Sequence, residues 1–246
     1  MALQEEFESL GNRFFRWRSY LPLFMAMVFV AALWSQPGAA SPDHPGGPWQ
    51  TACLLVSLAG LGLRFFTVGF APRGTSGRNT RGQVADTLNT TGMYSLVRNP
   101  LYLGNFLIWL GLSLFLQVWW CSVIVMLCFI LFYERIIFAE EAFLRERFGA
   151  AFTDWTAGAP AIIPRFNHWR APSLPFSWKS ALKREYSSWF ATLTSFTVLA
   201  ILRDSRQHGR LSLDKHWLVI FFFSLAIYLI IRTLKKKTQI LSTVDR

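Results

Sequence analysis

Two stretches of this chain concentrate side chains capable of chemistry. The first, residues 72–104, reads PRGTSGRNTRGQVADTLNTTGMYSLVRNPLYLG and contains Arg98-Asn99-Pro100. Asn is a good helix cap, and Pro is tolerated in a first turn because its missing N–H would be unpaired there anyway. A helix is therefore expected to begin at this tripeptide. The open amides and the dipole of a helix start attract anions, and Arg98 adds a full positive charge beside them, which suits a carboxylate or a phosphate. A helix that merely starts with a good cap explains the tripeptide equally well.

The second stretch, residues 133–166, reads YERIIFAEEAFLRERFGAAFTDWTAGAPAIIPRF. Glu140 and Glu141 emerge there at the end of an apolar run, where they can hold a cation. Glu141 has Arg145 four residues on, and Phe138, Leu144 and Phe148 form an apolar stripe, so an ordinary amphipathic helix also accounts for this segment. The pairing decides between these readings: an anion-binding helix start and a carboxylate pair at the same membrane depth suit a ligand with both charges. Tyr94 and Tyr102 bracket the helix start and can offer it a ring face and a hydroxyl.

The elements that must position these groups follow from composition. Hydrophobic residues make up 52% of the chain and charged residues only 16%, too little charge to cover a water-facing surface. Apolar blocks of about the length a bilayer requires occur at 20–36, 49–70, 101–117, 118–139, 187–202 and 216–234. The expected fold is all-α, a polytopic membrane protein of about six helices. The third and fourth blocks adjoin without a polar linker, which predicts a helical hairpin with a tight turn at 117–120 and the Trp119 and Trp120 rings at an interface.

The net charge of +11 does not mark a nucleic-acid binder, because the basic residues flank apolar helices. Arg13, Arg16 and Arg18 precede the first block, Arg73, Arg78, Arg81 and Arg98 follow the second, and Lys235, Lys236 and Lys237 close the last. By the positive-inside rule both termini are cytosolic, as are both chemical stretches, and the expected location is a bacterial inner membrane. Arg203, Arg206, Arg210 and Lys215 fall on the opposite side. Either the last two blocks form a re-entrant hairpin or the earlier helices fix the orientation, and the second is favoured because early helices usually dominate insertion.

Three acidic residues precede the first block and no small-residue site closes it, so it is read as a retained helix and not as a cleaved signal. Cys53, Cys121 and Cys128 lie inside apolar blocks as small hydrophobes, and no zinc site is expected from them or from the four histidines. Gly60 and Gly62 suit close helix packing better than a nucleotide loop. Arg73, Arg78 and Arg81, spaced by small polar residues, are candidates for capturing a phosphate of the substrate; anchoring to acidic headgroups is the plainer alternative.

The run Thr91-Gly92-Met93-Tyr94, then Val97-Arg98-Asn99-Pro100, Tyr102 and Gly104, resembles the isoprenylcysteine carboxyl methyltransferase and phospholipid methyltransferase family. A second motif of Glu140, Glu141, Leu144, Phe148, Gly149, Phe152, Trp155, Pro160 and Pro164 is similar to the same family. Asn99 stands where the family usually has His, and Phe152 and Trp155 stand where it has Tyr; Asn keeps a hydrogen-bonding side chain but does not titrate. The resemblance runs from the second helix to Phe166, including Gly60 and Arg64. It divides the chain into an N-terminal helix (1–48), a methyltransferase core (49–166) and an extension (167–246).

The resemblance implies S-adenosylmethionine as cofactor, with Tyr94, Arg98, Asn99, Pro100, Tyr102, Gly104, Glu140 and Glu141 around it and with transfer depending on Arg98 and Glu140. The implied partner is a lipid entering sideways from the bilayer. Methyl transfer needs alignment of donor and acceptor and exclusion of water. A carboxylate or phosphate acceptor is already ionised at neutral pH, and the lack of a His near the motifs favours such an oxyanion. Two alternatives remain open: a nicotinamide-dependent reductase, since membrane sterol reductases resemble this architecture, and a non-enzymatic lipid-binding membrane protein.

Overall fold

The computed structural model describes residues 3–35, 47–72, 75 and 83–241. Apart from one 3-10 turn at Phe166–His168, the regular elements among these residues are α-helices: α1 Leu3–Trp17, α2 Leu21–Ser35, α3 Gly47–Phe70, the single turn α4 Met93–Leu96, α5 Pro100–Phe115, α6 Trp119–Phe148, α7 Ala150–Gly158, α8 Trp178–His208 and α9 Lys215–Lys237. The chain is all-helical, and each of the six apolar blocks is a helix.

Their lengths are less uniform than the hydropathy suggests. Three helices, α3, α6 and α9, are long and apolar enough to cross a bilayer, and α1 with α2 makes a fourth only if the 79° bend between them lies within one span. The expected count of about six is not reached on this measure. Helix α5 has 16 residues, about 24 Å at 1.5 Å per residue, short of a core of about 30 Å. Helix α8 has 31 residues, but Lys183, Arg184 and Glu185 on one side and Arg203 and Asp204 on the other confine its uncharged part to 186–202. The apolar helices and the homology described below make the chain an integral membrane protein.

Helix α1 is amphipathic and lies along α6. Phe7 meets Phe138 edge-on at 5.8 Å, Phe14 stacks on Phe132 at 4.8 Å, and the Arg135 guanidinium lies 3.4 Å from the Phe7 ring centre. Gly11 permits this approach, since a Cβ there would fall 2.7 Å from that of Ala139. Helices α5 and α6 form the expected hairpin. Its turn is tight enough to place Gln117 at φ 57°, with the Gln117 N–H donating to the Leu114 carbonyl at 3.1 Å, and Trp119 is 78% exposed.

The closest crossing is α3 on α5. A Cβ on Gly104 would sit 2.6 Å from Arg64 Cγ and 2.8 Å from the Gly60 carbonyl oxygen, while Ser57 Oγ donates to the Ile108 carbonyl at 2.9 Å. Small residues at such a contact let backbones approach, the usual device of apolar helices that cannot rely on the hydrophobic effect. Gly62, expected to share this role, has open space around its Cα. Gly104→Ala is expected to push α5 off α3 at a cost of about 1–3 kcal/mol, read as a lowered thermal midpoint in detergent. An unchanged midpoint would show the crossing to be looser than described.

Helix α8 runs antiparallel to α9 and against α3 and α5. At one end Glu185 meets Arg64; further along, Phe196 packs edge-on to Phe115 at 5.2 Å and stacks on Trp217 at 5.8 Å. Beyond that, Arg203 pairs with Asp204 at 2.8 Å and lies 4.8 Å from the Phe115 ring, and Arg206 lies 5.1 Å from the Trp34 ring. Two of the basic residues that break the charge rule are thus spread over aromatic faces at the end of the bundle away from Glu185.

Candidate functional site

The end of α3, the starts of α5 and α8, and the ends of α6 and α9 meet at one end of the bundle. There the two chemical stretches are joined by hydrogen bonds. The Arg98 N–H donates to the Pro160 carbonyl at 2.8 Å and the Arg165 N–H to the Leu96 carbonyl at 2.9 Å. Gly92, at φ 59°, donates its N–H to the Arg170 carbonyl at 2.9 Å, a conformation that a side chain would strain. Trp155 Nε1 donates to the Tyr94 carbonyl at 3.0 Å. Two of the three departures from the family pattern are accommodated here: Trp155 finds an acceptor, and Phe152 is fully buried with no hydroxyl to satisfy.

Arg98 and Glu141, expected to lie on either side of a ligand, hold each other. Arg98 Nε donates to Glu141 Oε1 at 2.8 Å and Nη2 to Oε2 at 3.0 Å, while Nη1 reaches the Ala159 carbonyl at 2.9 Å and that of Thr156 at 3.4 Å. Four of the guanidinium's five N–H groups are thereby engaged. The ion pair ties α6 to the start of α5, and the carbonyls tie in the end of α7.

Asn99 occupies the cap position of α5, with Pro100 in the first turn, but its side chain makes no capping bond. Its Nδ2 donates instead to the Ala161 carbonyl at 3.1 Å. The sequence signal gave the right boundary for α5 and the wrong partner for the Asn side chain, since the chain returning after α7 supplies a better-placed acceptor. Pro100, Leu101 and Tyr102 of the first turn of α5 line a cavity, the Tyr102 and Leu103 N–H groups donating to the Asn99 carbonyl at 3.1 Å.

That cavity, of about 750 Å³, is lined by Tyr94, Arg98, Asn99, Pro100, Tyr102 and Glu140. Tyr102 Oη donates to Glu140 Oε1 at 2.7 Å, and no cation lies within ion-pair distance of Glu140 among the described residues. Tyr94 is held in the wall, and its hydroxyl is pushed up to about 12, chiefly by burial, so it remains a donor at neutral pH. Of the other expected cofactor residues, Glu141 is turned to Arg98 and Gly104 to α3, so neither is among the lining residues. The proposed phosphate-capturing Arg73, Arg78 and Arg81 lie outside the described residues.

Reading the sequence missed part of the wall. Arg64 donates from Nε and Nη2 to both Glu185 oxygens, at 2.9 and 2.7 Å, and from Nη1 to Asn105 Oδ1 at 2.7 Å; Asn105 Nδ2 reaches Tyr133 Oη at 3.4 Å. Glu185 is 2% exposed. The available signal was an arginine inside an apolar helix, which demands a partner, but the partner lies far along the chain. Gln83 also lines the cavity, and its buried Nε2 has no hydrogen-bond partner.

A family model for phospholipid methyltransferases matches residues 57–151. The cobalt-zinc-cadmium resistance protein CzcN of Cupriavidus metallidurans is 33% identical over 150 residues, covering 60% of this chain and 67% of its own length. This chain belongs to the phospholipid methyltransferase family. The nickel-cobalt-cadmium resistance protein NccN of Alcaligenes xylosoxydans xylosoxydans is 32% identical over 148 residues, covering 59% of this chain and 67% of its own length. No solved structure matches. Family membership points to a membrane methyltransferase. The stretch matched to the phospholipid methyltransferases holds Arg64, Tyr94, Arg98, Tyr102, Glu140 and Glu141, whereas the cavity residues of α8 and α9 lie beyond it.

Proposed function

We propose that the chain transfers a methyl group from S-adenosylmethionine to an anionic oxygen, phosphate or carboxylate, of a lipid-borne acceptor. The observation that carries this reading is Glu140, a carboxylate in a large cavity with a tyrosine hydroxyl as its hydrogen-bond partner. Such a carboxylate favours a cationic ligand, and S-adenosylmethionine has an ammonium and a sulfonium. The start of α5 offers the positive end of its dipole to the cofactor's carboxylate. The partnerless amide of Gln83 and the Tyr94 and Tyr102 rings fit a cofactor with a polar heterocycle.

When bound, the cofactor supplies an electrophilic methyl on sulfur. The chain's own residues then bind, orient and exclude water. Glu140 fixes the cationic end, Tyr102 orients Glu140, and the Arg98–Glu141 clamp keeps the α7 segment closed against the start of α5. An acceptor ionised at neutral pH requires no base, which agrees with a non-titrating Asn99 in the motif. The relatives' names tie them to metal resistance, and a methylated lipid phosphate carries less charge with which to hold metal cations at the membrane surface.

Purified protein incubated with methyl-labelled S-adenosylmethionine and a total lipid extract is expected to place the label in one anionic lipid class. Titration with the cofactor in parallel is expected to show saturable binding. Absence of both, or saturable binding of a nicotinamide cofactor in its place, overturns the methyltransferase reading.

A further inference from the structure

The cavity is far more basic than its cofactor requires. Among its described lining residues are six cations, Arg18, Arg64, Arg98, Lys183, Arg184 and Lys235, against two carboxylates, Glu140 and Glu185. Counting Glu141, which is paired with Arg98, the formal excess is still three. S-adenosylmethionine has one carboxylate, one ammonium and one sulfonium, so it is itself a net cation at neutral pH. An excess of positive wall charge opposes that ligand unless a second, negatively charged ligand shares the space.

Half of those cations come from the C-terminal part of the chain, beyond the stretch matched to the family. We propose that Lys183 and Arg184 at the start of α8, with Lys235 at the end of α9, form an anion subsite of the methyltransferase cavity that takes the negatively charged headgroup of the acceptor lipid. The assignment rests on the methyltransferase reading of the cavity and gives the residues after Asn167 a role in substrate selection.

The start of α8 is fixed where such a subsite is needed. Glu185 is nearly fully buried and is gripped through both oxygens by Arg64, itself held by Asn105 on α5. The two preceding residues are carried on the same rigid turn. Helix α9 is drawn in by Lys235, whose Nζ donates to the Lys183 carbonyl at 3.2 Å and lies 5.1 Å from the centre of the Tyr186 ring. An arginine fork and two flexible ammonium groups are the donor set that phosphate and carboxylate oxygens prefer.

Basic and acidic groups of the wall both act on Tyr94. Besides the dominant effect of burial, the Tyr94 hydroxyl feels the positive charge of Arg184 and the negative charge of Glu140.

The test uses full-length protein in neutral dodecyl maltoside micelles, titrated calorimetrically with palmitoyl lysophosphatidic acid, inorganic phosphate, palmitoyl lysophosphatidylcholine and S-adenosylmethionine. The Lys183→Gln, Arg184→Gln double variant is expected to bind lysophosphatidic acid about tenfold or more weaker than the unaltered chain, by loss of charge-assisted contacts. Arg184→Lys alone, which keeps the charge and loses only the fork, is expected to lose less than the double variant. Cofactor affinity is expected to hold within about twofold in both.

Equal lysophosphatidic acid affinity in the unaltered and double-variant proteins overturns the subsite, as does a matching loss of cofactor affinity. Inorganic phosphate binding as tightly as the lipid, or lysophosphatidylcholine showing the same loss in the double variant, overturns the assignment to an anionic lipid headgroup. Loss of lysophosphatidic acid binding in the double variant, with no cofactor binding by the unaltered chain, upholds the subsite and removes the methyltransferase reading.

Discussion

Glu140→Gln is expected to weaken S-adenosylmethionine binding by about 10- to 100-fold and to lower methyl transfer at least as much, with the thermal midpoint nearly unchanged. The magnitude follows from a hydrogen bond to a charged group, worth about 1.5–3 kcal/mol net, each 1.4 kcal/mol being a factor of ten. The substitution is nearly isosteric, and Gln still accepts from Tyr102 Oη, which now bonds to Glu140 Oε1 at 2.7 Å. Glu140 takes part in no salt bridge among the described residues, so neutralising it leaves no orphaned cation in ion-pair contact. Titration calorimetry with S-adenosylmethionine and S-adenosylhomocysteine separates the two charges Glu140 can meet. Equal loss for both ligands assigns it to the ammonium, and loss for the methylated ligand alone assigns it to the sulfonium. Unchanged affinity for both removes Glu140 from the cofactor site.

How much of this site was legible beforehand depends on how far apart its partners lie in the chain. Pro100 announced the start of α5, and the break at 117–120 announced the hairpin that returns α6 to place Glu140 opposite it, because both are local backbone signals. The partner of each polar group was not local. Asn99 reads as a cap, yet Ala161, brought back by the exit from α7, takes its amide. Arg64 enters the sequence reading only through the family resemblance, and its partner Glu185 lies more than a hundred residues on. Arg98 and Glu141 read as two arms around a ligand because opposite charges at one depth do not reveal whether the gap between them is open.

The number of spans stays unconfirmed for a related reason. Hydropathy registers the apolar core of α5 and α8, but α5 is too short alone and α8 is interrupted by the charges that contact the site and the aromatic residues at its other end. Gly60 and Gly62 carry the same compositional signal, while only Gly60 faces α5. Helical phase, set by packing, decides between them.

The Arg98–Glu141 pair is expected to behave as a single clamp, so that Arg98→Ala, Glu141→Gln and the double variant lose similar amounts of stability and activity. The side chains are 16% and 22% exposed, and removing one partner of a largely buried pair leaves the other desolvated and unmatched, at about 3 kcal/mol. Removing both relieves that penalty, which predicts a coupling of about 3 kcal/mol between the substitutions, against about 0–1 for a surface pair. The loss reaches the chemistry indirectly: without the guanidinium, the carbonyls of Ala159 and Thr156 lose their donor, the end of α7 is released from α5, and water gains access to the cavity. Each single variant should therefore lower the thermal midpoint and methyl transfer together, the transfer by a factor of about one hundred or more, and the double variant should be no worse. The opposite outcome is equally readable. Should Arg98→Ala abolish cofactor binding at an unchanged midpoint while Glu141→Gln does neither, Arg98 contacts the cofactor's carboxylate directly, as the sequence motif suggests, and the clamp is incidental.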